Sequence, residues 1–513
     1  MQPRRGGRHR HVHRSWPADS AIGKAVTLPR DDIVRERPAG DSRFAQAEGP
    51  FTEYERTISS NDTTVDEETT YRFTLPWFGW LFALPLRLAI ARRGRHPETH
   101  HTTPKWAPPD RLTPRQLSVI GLLAASSMAS AFVNTLFTQT VEFAADDFGV
   151  GDRGIGAAGA IVRAGIILVL PIAAFADRTG RRKVIVALGF TAPLMAAAGA
   201  VAPTFPILVA TQTIARPLGL ALDFMIAVVA AEEMPRNTRA YAISVLAMAS
   251  GLGAGIAVAS LPLADLASGA WRLVYVVALI WLLVAVSIAR RLPETERFQR
   301  PHVVAPAIDR GRFAVLAGMA LLGNLFVAPA SLFQNGYLED ERGYSATLIA
   351  LFTLSTATPA AIGLIIGGRI ADTRGRRQVI AVALPLAAVL IVTFYSIGGT
   401  PMWLAATAGG TVGGIAFPAI AVYRNELFPT GSRGRAAGLL TAAALLGGIG
   451  GLLLTGTLLD AGNSHGAVLG SLATAQLAVV LMVLVWLPET AHRELEDLNP
   501  LDAAAAGLSP RRR

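Results

Sequence analysis

Beyond about residue 113 the chain alternates long apolar blocks with short polar connections. The blocks fall near 117–141, 155–176, 184–203, 205–229, 240–262, 271–289, 313–334, 346–370, 379–398, 402–424, 435–459 and 466–487. Each runs for about 20–27 residues, and a hydrocarbon core about 30 Å thick requires about 20 in helical form. With no water to satisfy the backbone, such segments must be helices. Barrel strands would be about half as long and would alternate. The pattern predicts an all-α membrane protein with twelve transmembrane helices.

Residues 1–112 break the pattern. They hold 18 Lys/Arg and 14 Asp/Glu. Stretches such as Ser59-Ser60-Asn61-Asp62-Thr63-Thr64 and the acidic run Asp66-Glu67-Glu68 read as a largely disordered arm. His9, His11 and His13 could form a metal-binding tract, but a solvated basic tail or an over-long start is the stronger reading, and no metal site is expected. No apolar h-region follows closely, which argues against a cleaved signal peptide. One apolar stretch, 75–91, carries Trp77, Phe78, Trp80, Leu81, Leu84 and Leu88. Pro76, Gly79, Pro85 and Arg87 interrupt it, so it reads as an amphipathic segment in the membrane interface rather than a span.

Composition sharpens this picture. The 513 residues are 51% hydrophobic and 16% charged, against about 25% charged in soluble chains. There is no cysteine, which removes disulfides, thiolate metal sites and cysteine nucleophiles together. The net charge of +10 divides into +4 on residues 1–112 and +6 on the rest, where it gathers in loops rather than in a surface for nucleic acid. Arginine outnumbers lysine 44 to 3, which suits a GC-rich genome and a bacterial inner membrane. Basic residues collect after the even-numbered spans, while the connections after odd-numbered spans carry Asp146, Asp147, Asp152, Glu339, Asp340 and Glu341. The positive-inside rule then places both termini in the cytoplasm.

Three motifs recur at an offset of 194 or 195 residues. Ala176-Asp177-Arg178-Thr179-Gly180-Arg181-Arg182 follows span 2, and Ala371-Asp372-Thr373-Arg374-Gly375-Arg376-Arg377 follows span 8, displaced by 195. Glu232-x-x-Pro235-x-x-x-Arg239 returns as Glu426-x-x-Pro429-x-x-x-Arg433, and Leu292-Pro293-Glu294-Thr295 as Leu487-Pro488-Glu489-Thr490. Shared order and spacing predict two pseudo-symmetric six-helix bundles, 113–297 and 313–496, joined by a linker at 298–312 and followed by a basic tail at 497–513.

These motifs resemble those of the major facilitator superfamily, nearest its sugar-porter, organic-ion and metabolite–proton symporter branch. The likeness covers roughly residues 113–496. It departs from the usual loop motif at Ala173, where the second half keeps Gly368. The resemblance implies alternating access, a small-molecule substrate and a cytoplasmic gate. Asp177, Gly180, Arg181, Arg182, Glu232, Arg239 and Glu294, with Asp372, Gly375, Arg376, Arg377, Glu426, Arg433 and Glu489, would form that gate as a network of exposed ion pairs. Each such pair contributes only about 0–1 kcal/mol, which suits a latch that must open.

Charges inside the spans come next. Arg216 lies about 16 Å down span 4, where an arginine costs about 2.5–3.5 kcal/mol and needs an acid or a cavity. It opens a stretch similar to the family's span-4 Arg-x-x-Gly motif associated with proton coupling, and Asp223 follows on nearly the same face. Positions one repeat later, near Gly410 and Phe417, are uncharged. Span 1 lacks the mid-membrane acid of sugar-type symporters and has only Glu142 near its periplasmic end, so either Asp223 or Glu142 carries coupling or the protein does not couple to protons. Arg163 reads as structural or interfacial. Asn134, Gln139, Asn324, Gln334 and Asn335 could hydrogen-bond a polar substrate or one another across helices. The glutamines expected of a hexose site are absent from spans 5 and 7. No Gly-Lys-Ser/Thr follows any glycine run, so an ATP-driven pump has no sequence support.

The expectation is a monomeric secondary transporter, not an enzyme and without a cofactor, moving a small organic solute with protons. Export of a drug or metabolite, and a transporter-like sensor or scaffold, are the alternatives.

Overall fold

The computed structural model describes residues 9–92, 107–108, 110–169, 172, 180–235, 238–294, 308–428 and 433–490. The first of these are folded, contrary to the disorder expected there. Strands β1 (Arg10–Pro17), β2 (Arg35–Gly40), β3 (Arg43–Glu48), β4 (Phe51–Ser60) and β5 (Thr64–Phe73) form one antiparallel sheet in the order β1-β5-β4-β3-β2. A short helix, α1 (Ala21–Val26), packs beside it. The acidic run lies in β5, where Val65, Glu67, Thr69 and Tyr71 face inward. Glu67 meets Arg30 at 2.8 Å, and Arg56 meets Glu36 at 2.6 Å with the Tyr54 hydroxyl 2.5 Å away. Because charged residues occupy inward positions, the two-residue alternation does not show as hydrophobicity.

The apolar stretch forms a turn and a helix, α2 (Ala83–Arg92), with two faces. Leu86 and Ile90 are buried against the sheet, while Trp80, Leu81, Leu84 and Leu88 are exposed. Leu75 and Pro76 rest against Gly121, seven residues into the next helix.

That helix, α3 (Pro114–Phe148), opens with Thr113 and Gln116 closing a reciprocal cap around Pro114 and ends at Gly149 with φ +66°. It is followed by α4 (Asp152–Ala164), α5 (Arg181–Ala197), α6 (Phe205–Glu233), α7 (Arg239–Ala259), α8 (Trp271–Arg291), α9 (Arg310–Leu332), α10 (Ala346–Arg374), α11 (Arg376–Phe394), α12 (Gly399–Glu426), α13 (Arg433–Asp460) and α14 (His465–Trp486). Among the described residues, eleven helices are long and apolar enough to cross a membrane. The predicted second span begins as α4 and continues in a tighter turn, Gly165–Leu168. Most of the remainder to residue 179, Asp177 included, lies outside the described residues, as do most of the 298–312 linker and the 497–513 tail.

Small residues set the helix pairing, because without a hydrophobic drive in lipid close backbone approach supplies much of the attraction. In the first half Gly253 of α7 sits on the Met128 backbone of α3, and Gly165 at the end of α4 sits on Thr213 of α6. In the second half Gly447 and Gly451 of α13 sit on Leu321 and Leu325 of α9, and Gly363 of α10 sits on Thr411 of α12. The halves thus repeat one packing scheme. Large apolar residues such as Ile207 and Ile214 of α6 remain exposed, as a lipid-facing surface requires.

Candidate functional site

The bundle has an arginine-rich end, where the paired motifs lie, and an acidic end. At the arginine-rich end Gly180 and Gly375 adopt φ of +99° and +101°, a region open to glycine and strained for other residues. Each turns the chain into the first turn of a helix, α5 or α11. The Arg182 N–H donates to Glu294 at 3.1 Å, and the Arg376 and Arg377 N–H groups donate to Glu489 at 3.0 and 3.1 Å. A carboxylate therefore caps each helix N-terminus, where the macrodipole favours an anion. The arginine guanidinium completes the clasp from the other side. Arg182 donates to the Leu292 and Ala289 carbonyls, both at 2.7 Å, and Arg377 donates to the Leu484 carbonyl. Ala289 and Leu484 are again 195 residues apart. These bonds tie each loop to the last helix of its own half rather than bridging the halves. Asp177 and the side chains of Glu232, Arg239, Asp372, Glu426 and Arg433 lie outside the described set.

Hydrogen bonds between the halves, among the described residues, lie at the acidic end. Asn335 Nδ2 donates to the Gln139 carbonyl at 2.8 Å, and Asp265 accepts from the Ala346 and Thr347 N–H groups at 2.8 and 2.7 Å. Below them α4 and α13 touch through glycines. A Cβ on Gly156 would stand 2.5 Å from the Leu452 carbonyl oxygen, and one on Gly456 would stand 2.6 Å from that of Asp152. The acidic end is sealed in this structure.

Glu142 sits in that seal, 3% exposed. Its carboxyl lies 2.6–2.8 Å from where a Cβ on Gly336 would be, and its Oε2 is buried without a hydrogen-bond partner. Around it the connection after α9 gathers Glu339, Asp340 and Glu341, with His465 bonded to Glu341 at 2.6 Å. Burial, then Asp146, Asp340 and Asp265, pushes the Glu339 carboxyl up to about 8. Sequence reasoning noted these acids only as a topology signal.

At mid-depth, Arg216 and Asp223 are seven residues apart on α6, about 20° around the helix, and Arg216 stands about 180° from lipid-facing Ile207. They share an inward face, yet they do not pair. Ser127 Oγ of α3 lies 3.2 Å from Asp223 Oδ1 and 2.7 Å from Ser250 Oγ of α7. Arg216 makes no ion pair or hydrogen bond among the described residues; the charge it faces is that of Arg163. Arg163 extends the Gly156–Gly159 face of α4 that packs on α13, and its Nη1 lies 3.1 Å from a Cβ position on Gly448. It too has no ion pair among the described residues. Its spacing of seven and four residues from those glycines was the signal that could have placed it at the seam.

The predicted amides are dispersed. Asn134 accepts nothing at its buried Oδ1, while its Nδ2 bonds Ser130 in the same helix. Gln334 bonds Thr353, and Asn324 bonds its own helix at Ala320. Gln139 and Asn335 belong to the seal. No group of three or more His, Cys, Asp or Glu is arranged to hold a metal among the described residues.

Comparison with known proteins adds a lineage. The sequence profile of the Major Facilitator Superfamily matches residues 122–352 and 313–510. A cis,cis-muconate transport protein of Acinetobacter baylyi is 27% identical over 187 residues, 33% of this chain, and the chain spans 45% of that relative's length. The inward-open xylose transporter XylE from E. coli superposes with a TM-score of 0.61 at 16% identity, covering 75% of this chain and 99% of that one. A bacterial homologue of the human lysosomal transporter Spinster, inward-facing and unoccupied, gives 0.57 at 17% identity, covering 72% and 95%. The nucleoside transporter NupG gives 0.56 at 13%, covering 71% and 98%.

Proposed function

The chain belongs to the Major Facilitator Superfamily of transporters, and we propose that it imports a small organic anion together with protons by alternating access. The observation that carries this reading is Arg216, an inward-facing guanidinium at mid-depth with no acid to neutralise it among the described residues. A lone cation there is costly, and a bound anion is what relieves the cost. The relative named for muconate transport supports an anion.

Asp223 is the proton carrier in this proposal. It shares the face of Arg216 but is held only by a hydroxyl, which can serve either protonation state by turning its own hydrogen. In this proposal the arginine-rich end faces the cytoplasm of a bacterial cell, and the contacts between the halves at the acidic end suit an inward-facing or occluded state. The repeated clasps at Glu294 and Glu489 tie the first turn of α5 and of α11 to the end of the same half, which suits halves that rock as bodies. Proteoliposomes with an imposed pH gradient test the coupling: Asp223→Asn abolishes accumulation while leaving solute exchange. Unchanged accumulation in that variant removes Asp223 from the mechanism.

A sensor or scaffold role has one observation in its favour, the folded sheet docked through the Asp110 N–H on Thr238 and Arg111 on Asp31. Transport that survives removal of residues 1–73 sinks that second reading.

A further inference from the structure

We propose that Arg163 is a second anion anchor, so that the transported solute carries two acidic groups, one held by Arg216 and the other by Arg163 at the seam between the halves. This rests on reading Arg216 as an anion site. Arg163 stands eleven residues from the start of α4 at Asp152, and Arg216 eleven from the start of α6 at Phe205. Both helices begin at the acidic end, so both guanidinium groups lie at the same depth, about 16 Å down. Gly165, two residues beyond Arg163, packs on Thr213 and Pro217, so α4 and α6 are in contact at this depth. The charge that bears on Arg216 is that of Arg163, and neither has an ion pair among the described residues.

Two unneutralised cations on adjoining helices repel, and the repulsion grows as water leaves when the halves close. One carboxylate would settle one of them. A dianion settles both, its second group meeting Arg163, whose Nη1 reaches the seam and lies 3.1 Å from the Cβ position of Gly448 on α13. The C-terminal half brings no charge to this level at Gly410 or Phe417, so both acidic groups are held by the first half while the seam closes over the solute.

The probes are adipate and its monomethyl ester, which share a carbon chain and differ by one charge. Their binding to the purified full-length protein is followed by thermal stabilisation, and their transport by competition in proteoliposomes. The wild type prefers adipate by about 10- to 100-fold, the range of one charge-assisted hydrogen bond. Arg163→Gln removes that preference by weakening adipate and leaving the ester, and Arg163→Lys keeps most of it. Equal loss of both ligands in Arg163→Gln, or no wild-type preference, overturns the proposal while the single-anion reading stands. If Arg216→Gln binds both ligands as the wild type does, the anion reading itself fails. Should Arg163→Gln not fold, Gly448→Ala serves instead, since its methyl would sit 3.1 Å from Arg163 Nη1 and must displace it. An adipate preference unmoved in Gly448→Ala then counts against the proposal.

Discussion

Replacing Gly156 by alanine should hold the acidic end open. The new Cβ would lie 2.5 Å from the Leu452 carbonyl oxygen and 3.2 Å from the Gly456 Cα. Both obstacles are backbone, so no side chain can swing away, and restoring ordinary contact requires α4 and α13 to part by roughly 0.9 Å. Overpacking of this kind costs about 1–3 kcal/mol. The cost falls only on the conformation in which the seam is closed, so the ratio of open to closed states should rise by about 5- to 150-fold. The chain has no cysteine, which makes distance measurement straightforward. Spin labels on Ser268→Cys, in the connection after α7, and Ala461→Cys, in the connection after α13, report the width of the acidic end. Gly251→Ala is the control, because a Cβ there meets nothing within 4 Å. A distance distribution in Gly156→Ala that matches Gly251→Ala would refute the claim that these glycines form the seal.

Other consequences are open to measurement. Glu489→Gln should lower the melting temperature through loss of a charged helix cap, at about 0.5–2 kcal/mol, and Glu294→Gln should do the same by the repeat; a shift in neither would show the clasps to be passive. Glu339 binds a proton more tightly in the folded state, with its carboxyl at about 8 against an ordinary 4.5. Stability should therefore fall as pH rises from about 4.5 to 8 and level off above. Melting curves across that window test this, and Glu339→Gln should flatten the slope. In the sheet, burial pushes the Glu36 carboxyl up, but the Arg56 hydrogen bond and charge and the Tyr54 hydroxyl outweigh it and hold it below its ordinary range. Its contribution is thus present above about pH 4.5 and lost as pH falls through the lowered value, which hydrogen exchange of β4 and β5 in the full chain should show and Glu36→Gln should abolish. If the exposed apolar side of the 75–91 stretch lies in the membrane interface, a spin label at Trp80→Cys, just before α2, should collide with oxygen more than with a water-soluble relaxant; the reverse order would place it in water.

The spans were legible because their signal is redundant: about 20 apolar residues suffice wherever the helix points. The repeat was legible for the same reason, since Gly180 and Gly375 need positive φ and Glu294 and Glu489 need a helix N-terminus. What the sequence hid depended on partners. The sheet was masked because Arg56 and Glu67 occupy inward positions that pattern reading expects to be apolar. Arg216 and Asp223 lie on one continuous helix, yet spacing along α6 could not reveal that Ser127 of α3, not Arg216, bonds Asp223. Arg163 needed α13 to give it meaning. The gate residues show the same limit, for their loops carry charges suited to a latch while the described bonds run within each half.

The most direct test of the account is uptake of a radiolabelled organic acid by proteoliposomes with an alkaline interior, comparing the wild type with Arg216→Gln. The account predicts accumulation in the wild type that collapses with a protonophore, and none in the variant. Wild-type accumulation by Arg216→Gln, or a preference for neutral or cationic solutes, would contradict it.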